Sequence, residues 1–207
     1  MRPAVDVFSE WAENGKDKGM ERGHAPAVSE ILTAALDALP PYSLERGFSA
    51  IDAGCGNGWV VRLLKQNSSC SLAMGVDGAK SMISRALEID PEGIYFHADL
   101  SNWSPPEKVD FVHSMEVLYY LDDIPYFLRK VHSEWLLEGG VFAFGLDHYS
   151  ENTESLEWPE KVGVKMTTFS ESEWISLVES SGFDVLTSFR ANQGDDWAGT
   201  LVIIARS

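Results

Sequence analysis

The 207-residue sequence has few cysteines, few basic side chains and no long apolar run. Two cysteines, Cys55 and Cys70, are too few for the disulfide framework of a small secreted domain. No apolar run approaches the ~20 residues that a membrane-spanning helix needs. The Met1-Arg2-Pro3 start also lacks the apolar core of a signal peptide. These absences argue against a secreted scaffold and a membrane protein, so we expect a cytoplasmic location.

Basic residues are outnumbered two to one, with 16 Lys and Arg against 32 Asp and Glu and a net charge of −16. Proteins that bind nucleic acid neutralise phosphates with Lys and Arg, and an acidic surface repels DNA, RNA and anionic membranes. We therefore expect no nucleic-acid or membrane partner, and a small neutral or cationic molecule is permitted. The same charge would also serve solubility alone.

The clearest motif is a three-glycine turn between an apolar strand and a helix predicted near 59–66. Residues 51–59 read IDAGCGNGW. Glycine has no Cβ, so the backbone can approach a ligand closely. The free N–H groups of the following helix can then hold an anionic group. The spacing D-x-G-x-G-x-G differs from the dinucleotide fingerprint G-x-G-x-x-G.

Acids follow the next two predicted strands. Asp77 ends a strand near 72–77, where a carboxylate can accept bonds from both hydroxyls of a ribose. Asp99 follows a strand near 94–97, and a fourth strand near 109–113 runs into the segment 114–120. Together with Asp52 in the glycine motif, these residues form an ordered set at successive strand ends.

This order of motifs resembles the class I S-adenosylmethionine-dependent methyltransferases of the small-molecule type, over roughly residues 48–206. The resemblance implies S-adenosylmethionine as cofactor and S-adenosylhomocysteine as product. It assigns Asp99 to the adenine amine, the next backbone N–H to the ring, and the segment 114–120 to the methionine part. The cofactor-binding residues that it implies are Asp52, Gly54, Cys55, Gly56, Gly58, Asp77, Gly78, Asp99, Leu100, Ser114 and Met115.

Strands and helices alternate through the middle of the chain, which is typical of an α/β fold with a parallel sheet. The resemblance implies a Rossmann-like fold with helices on both faces and a seven-stranded sheet of order 3-2-1-4-5-7-6, strand 7 antiparallel. We expect one domain, 1–207, with 1–48 as an N-terminal lid and helix and 49–207 as the core. The helix is predicted over 25–39, and the irregular stretch 11–24 is either a lid or a solvated loop.

The acceptor site is less well marked. His148, just after the fifth strand, is the candidate general base because histidine titrates near neutrality; Asp147 or Glu151 could orient it. The alternative is a hydrogen-bonded loop histidine. Tyr119 and Trp197 are the further candidates for substrate contact, and no metal-ligand pattern is evident.

The sequence therefore predicts methyl transfer to a small-molecule acceptor through an N, O or S nucleophile. Two alternatives remain open. One is a non-catalytic S-adenosylmethionine-binding regulatory domain. The other is a nicotinamide-dependent oxidoreductase, which the glycine spacing and the lack of a Tyr-x-x-x-Lys pair disfavour.

Overall fold

The predicted alternation of strands and helices folds into one seven-stranded sheet. The computed structural model describes residues 1–207. The strand order is β3-β2-β1-β4-β5-β7-β6, and β7 runs antiparallel to both of its neighbours, so the predicted topology is confirmed. The strands are β1 Phe48–Ala53, β2 Cys70–Asp77, β3 Ile94–His97, β4 Val109–Met115, β5 Leu136–Leu146, β6 Asp184–Ala191 and β7 Thr200–Arg206.

Helices cover both faces of the sheet, as the fold class predicts. Short 3-10 helices at 118–120 and 153–157 and a π-helical turn at 131–135 connect the longer elements. The α-helices are α1 Ala4–Glu13, α2 Asp17–Ala38, α3 Pro41–Arg46, α4 Trp59–Lys65, α5 Lys80–Ile89, α6 Ile124–Lys130, α7 Trp158–Val162 and α8 Glu171–Ser180.

The two faces of the sheet carry separate apolar layers because successive strand residues point to opposite sides. On one face, Val28 and Ile31 of α2 pack in a layer that includes Phe111 of β4. On the other face, Trp135 and Trp174 belong to the larger layer. Burying a large apolar side chain stabilises a fold by about 1.5–3 kcal/mol, so these layers hold the strand ends in fixed positions.

The N-terminal region differs from the sequence expectation. Residues 11–24 were expected to be irregular, but they form the end of α1, a turn at 14–16 and the first part of α2. The expectation placed Pro26 near a helix start, where proline is common. In the structure Pro26 lies inside α2, and the helix continues although proline has no backbone N–H to donate.

The C-terminal half continues the alternation of strands and helices. Ser170 caps α8 and forms a capping box with Glu173. Helix α6 is followed directly by the π-helical turn, and β5 begins at Leu136. None of the helices combines the length and apolar character needed to cross a bilayer.

Candidate functional site

The carboxyl ends of the parallel strands open onto a cavity of about 1050 Å³. Its walls come from the glycine turn after β1, the ends of β2 and β3, and the segment after β4. Parts of α1 and α2 complete it on the solvent side. Ligands bind in this position in open α/β sheets, outside the carboxyl ends of the strands.

Two glycines of the turn have different reasons to lack a side chain. Gly54 has φ +78°, and a Cβ there would lie 2.2 Å from Cγ2 of Val117. Gly56 has φ +52°, but its Cβ would meet no atom closer than Sδ of Met82 at 3.9 Å. Gly54 is therefore required by packing, whereas Gly56 leaves open space in the cavity wall that a ligand can fill.

Asp77 connects the end of β2 to this turn. Its carboxylate accepts hydrogen bonds from the backbone N–H groups of Gly56 at 2.9 Å and Ala79 at 2.7 Å. Burial raises the pKa of Asp77, and the two backbone donors oppose that shift. A carboxylate has about four lone-pair sites, so Asp77 can still accept hydroxyl donors from the cavity.

Asp99 and Leu100 form the wall next to the end of β3. The Asp99 carboxylate accepts from Ser101 N at 2.9 Å and from the side-chain amide of Asn102 at 2.7 Å. These bonds fix the orientation of the carboxylate. It remains exposed to the cavity, where it can accept from an amine such as that of adenine.

Asp52 and His113 face each other across β1 and β4, where they are paired in register. Nδ1 of His113 lies 2.7 Å from Oδ1 of Asp52. Because an ionised carboxylate only accepts, Nδ1 is the donor. His113 is fully buried, lines the cavity, and its Nε2 has no hydrogen-bond partner.

Helix α1 lies over the cavity. A Cβ on Gly78 would be 2.7 Å from Cγ1 of Val5, so α1 contacts the end of β2. Phe8 packs edge-on against Tyr120 with ring centroids 5.2 Å apart. The backbone N–H of Arg2 donates to the carbonyl of Gly163 at 2.9 Å. These contacts attach α1 to two sides of the cavity.

A second polar group lies where β4 and β5 end. Glu116 has a positive φ of +61°, uncommon for a residue with a side chain. Its carboxylate accepts from the hydroxyl of Tyr119 at 2.6 Å and from the backbone N–H of Asp147. Burial and the nearby Asp147 carboxylate raise the pKa of Glu116 well above its usual value.

Asp147 and His24 complete this group. The Asp147 carboxylate accepts from the hydroxyl of Thr200 at 2.6 Å, and its other oxygen lies 3.8 Å from Nε2 of His24. Polar atoms of His24, Glu116 and Asp147 all lie within 4.8 Å of one another. Burial raises the pKa of Asp147 and lowers that of His24, so the environment disfavours the charged form of each.

Nine of the eleven residues assigned to the cofactor line the cavity, and Gly58 and Ser114 do not. A Cβ on Gly58 would lie 2.5 Å from the ring of Tyr95, so this glycine accommodates an aromatic neighbour. The hydroxyl of Ser114 donates to the carbonyl of Ala53 at 2.8 Å inside the sheet. The nine are Asp52, Gly54, Cys55, Gly56, Asp77, Gly78, Asp99, Leu100 and Met115.

His148 does not reach the cavity. It is fully buried, with Nδ1 3.0 Å from the carbonyl of Ser155 and Nε2 2.8 Å from the hydroxyl of Thr168. Side chains alternate along β5 and just beyond it, so Asp147 faces α2 whereas His148 points to the opposite side. In the structure His148 is therefore a hydrogen-bonded loop histidine, which is the alternative given above.

Tyr119 and Trp197 are also absent from the cavity wall. Tyr119 is buried behind Glu116, to which its hydroxyl donates. Trp197 lies in the turn between β6 and β7, and β6 is the edge strand beyond β7. This turn lies at the carboxyl end of β6, but β5 and β7 separate β6 from β4, whose end lies at the cavity.

The sequence reasoning did not single out Glu116 within the segment 114–120, and it gave Asp147 only a supporting role. The available signal was position, because Glu116 and Asp147 each directly follow a strand, as Asp99 nearly does. His24 belongs to the stretch 11–24 that was expected to be a lid or a solvated loop, and α2 brings it to the same group.

Comparison with known proteins agrees with this geometry. A family model described as a methyltransferase domain matches residues 22–188. The chain belongs to this family. Trans-aconitate 2-methyltransferase of Agrobacterium fabrum is 30% identical over 125 residues, which make up 60% of this chain and 48% of that protein. The protein spans about half the length, or less, of the curated relatives it matches.

Solved structures share the fold. One is the complex of the Haloferax volcanii Trm112 methyltransferase activator with a protein described as a methyltransferase. It has a TM-score of 0.82 and 26% identity, and the match covers 100% of this chain and 98% of that one. N-methyltransferase NodS of Bradyrhizobium japonicum, solved with S-adenosylhomocysteine, has a TM-score of 0.64 and 18% identity, covering 86% and 84%. The class I methyltransferase resemblance and its fold are thus confirmed.

Proposed function

We propose that the protein binds S-adenosylmethionine in the cavity and transfers its methyl group to a small-molecule acceptor with an N, O or S nucleophile. The observation that carries this proposal is the open space at Gly56 beside the Asp77 carboxylate, in a member of a methyltransferase family. That combination provides a close backbone approach and a ribose acceptor at the same strand edge.

The residues of the cavity fit the parts of this cofactor in order. Asp77 would accept the ribose hydroxyls, and Asp99 with the backbone of Leu100 would hold the adenine. Asp52 holds the ring of His113 in place, and Nε2 of the neutral imidazole would accept from the methionyl ammonium. When bound, the sulfonium supplies an activated methyl group, and the protein supplies alignment and the exclusion of water.

Two features support a small acceptor. Helix α1 covers the cavity and is attached at Arg2 and Val5, so a molecule enclosed beneath it has to be small. The net charge of −16 opposes a nucleic-acid backbone. The trans-aconitate acceptor of the relatives is one member of the small-molecule class to be tested.

Calorimetric titration with S-adenosylhomocysteine and S-adenosylmethionine tests the cofactor, and transfer of a labelled methyl group to a panel of amines, acids, alcohols and thiols tests the reaction. We expect binding of both cofactor forms and turnover of at least one acceptor class. A protein that binds neither form would contradict the proposal. Binding with no turnover on any acceptor would favour the non-catalytic regulatory domain.

A further inference from the structure

Glu116, a half-buried carboxylate of the cavity wall, lies close to the buried carboxylate of Asp147, which is not itself part of the wall. Glu116 and Asp147 are within 4.8 Å of each other, and His24 is the third member of the group. The pKa directions of all three favour their neutral forms. Two carboxylates so close together favour a cation bound at Glu116, because a nearby positive charge offsets both their repulsion and their burial.

The basic groups of the cavity wall are already paired. Arg2 forms an ion pair with Glu10, and Lys165 forms one with Asp122 at 3.3 Å. The wall also carries seven carboxylates, so an anionic acceptor would find no unpaired Arg or Lys there. They are Asp17, Glu21, Asp52, Asp77, Asp99, Glu116 and Asp122.

His113 in the same wall is fully buried, and its Nε2 has no partner. The proposed function assigns this nitrogen to the methionyl ammonium of the cofactor. The carboxylates of the wall therefore remain to recognise the acceptor.

We propose that the acceptor is a small amine, which binds in the cavity as an ammonium ion at Glu116, with Asp147 as the neighbouring carboxylate, and that Glu116 is the base that deprotonates it. This inference rests on the proposed function, since it names the acceptor class of the same site. Tyr119 and Asp147 N hold the two oxygens of Glu116 in place, and Tyr120 lines the cavity next to it.

The chemistry requires a base, because an ammonium nitrogen has no free electron pair. Glu116 takes one proton from the ammonium, and the neutral amine then attacks the methyl carbon. The N–C bond forms as the C–S bond breaks, and the C–S electron pair goes to sulfur. The product amine carries the positive charge that the sulfonium loses, so charge and atoms balance.

The first experiment compares acceptor analogues matched in size and opposite in charge. Phenethylamine and tryptamine are titrated into the protein with S-adenosylhomocysteine bound, beside 3-phenylpropionate, indole-3-propionate and trans-aconitate. We expect the amines to bind and the carboxylates to bind at least ~10-fold more weakly. The two carboxylates of the site attract the positive charge of an amine and repel the negative charge of a carboxylate. Titration in buffers of different ionisation enthalpy should show proton release with the amines, as the ammonium displaces a proton from Glu116.

The second experiment uses Glu116→Gln, which keeps the shape of the side chain, and Glu107→Gln as a matched control at an exposed position before β4. With an amine acceptor, Glu116→Gln should lower kcat by ~100-fold or more. Raising the pH should partly restore turnover, because more of the amine is then already neutral. Glu107→Gln should leave kcat and KM unchanged.

The outcomes separate the two proposals. Tight binding of S-adenosylhomocysteine together with equal or preferred use of the carboxylates would overturn the amine inference and leave methyl transfer standing. If the cofactor binds but none of the amines does, the amine inference is likewise overturned and methyl transfer still stands. Turnover that requires added Mn²⁺, with Mn²⁺ binding lost in Glu116→Gln, would assign the group to a metal and also overturn the inference. Loss of cofactor binding itself would contradict the proposed function.

Discussion

Asp77→Ala should weaken binding of S-adenosylhomocysteine roughly tenfold to a hundredfold. In the structure the Asp77 carboxylate already accepts from Gly56 N at 2.9 Å and Ala79 N at 2.7 Å, which aims its remaining lone pairs at the cavity. A hydrogen bond to a charged acceptor is worth about 1.5–3 kcal/mol when its partner is left without a substitute. Each 1.4 kcal/mol is about a factor of ten in affinity.

The same substitution should also lower the free energy of unfolding, because it leaves the N–H groups of Gly56 and Ala79 without their acceptor. We expect a loss of about 1–3 kcal/mol. Asp110→Ala is the matched control, since Asp110 is a buried acid near the start of β4 that accepts from Ser43, Arg46 and Ser49. It should destabilise the fold without changing cofactor affinity.

Calorimetry on the folded variants distinguishes a ribose contact from a general distortion of the turn. The analogue of S-adenosylhomocysteine that lacks the 2′-hydroxyl should bind the wild type more weakly than the parent compound. In Asp77→Ala the two compounds should bind alike, because the contact is already missing, as in a double-mutant cycle. Wild-type affinity in folded Asp77→Ala would refute the assignment of the ribose to this side chain.

Three further predictions follow from the glycine turn, the N-terminal helix and the buried acid pair. Gly56→Ala should still fold, at a cost of about 1–2 kcal/mol for its positive φ, but it should lose cofactor binding. Gly54→Ala should fold poorly, because its methyl group would collide with Val117. Thermal unfolding measures the stability of the two variants, and calorimetry measures their cofactor binding. Hydrogen exchange in residues 4–13 should slow when S-adenosylhomocysteine binds, and equal rates would contradict a lid. The raised pKa of Glu116 means that the unfolded chain ionises first, so the stability of the wild type relative to Glu116→Gln should fall as pH rises above 4.5. Parallel stability curves in urea would contradict the last prediction.

The topology of the sheet was predictable because strand–helix alternation with right-handed crossovers leaves few arrangements. The family resemblance then supplied the antiparallel seventh strand. The positions of the cofactor residues were predictable from the parallel sheet, because acids and glycines at the carboxyl ends of parallel strands meet at one edge. Asp52, Asp77 and Asp99 line one cavity for this reason.

The acceptor residues could not be placed in this way. At the end of β5 a shift of one residue decides which of Asp147 and His148 faces α2, and the sequence pattern does not fix that phase. The orientation of Glu116 depends on a positive φ at a residue that is not glycine. Most of helix α1 lies before the stretch 11–24 and carried no prediction, because tertiary contacts with α5 and Tyr120 hold this helix in place.

The acids of the cavity divide into two kinds, and this division argues for separate roles. Asp77 and Asp99 accept from backbone N–H groups, and Asp52 accepts from a histidine, so hydrogen-bond donors position each of them. Glu116 accepts hydrogen bonds too, but it also has the Asp147 carboxylate within 4.8 Å, which helps to raise its pKa. Such a pair is stable only with a cation or a shared proton, and a site that exchanges one for the other both binds an ammonium ion and removes its proton. The first kind of acid therefore suits the recognition of a constant cofactor, and the second suits an acceptor whose protonation state has to change during the reaction.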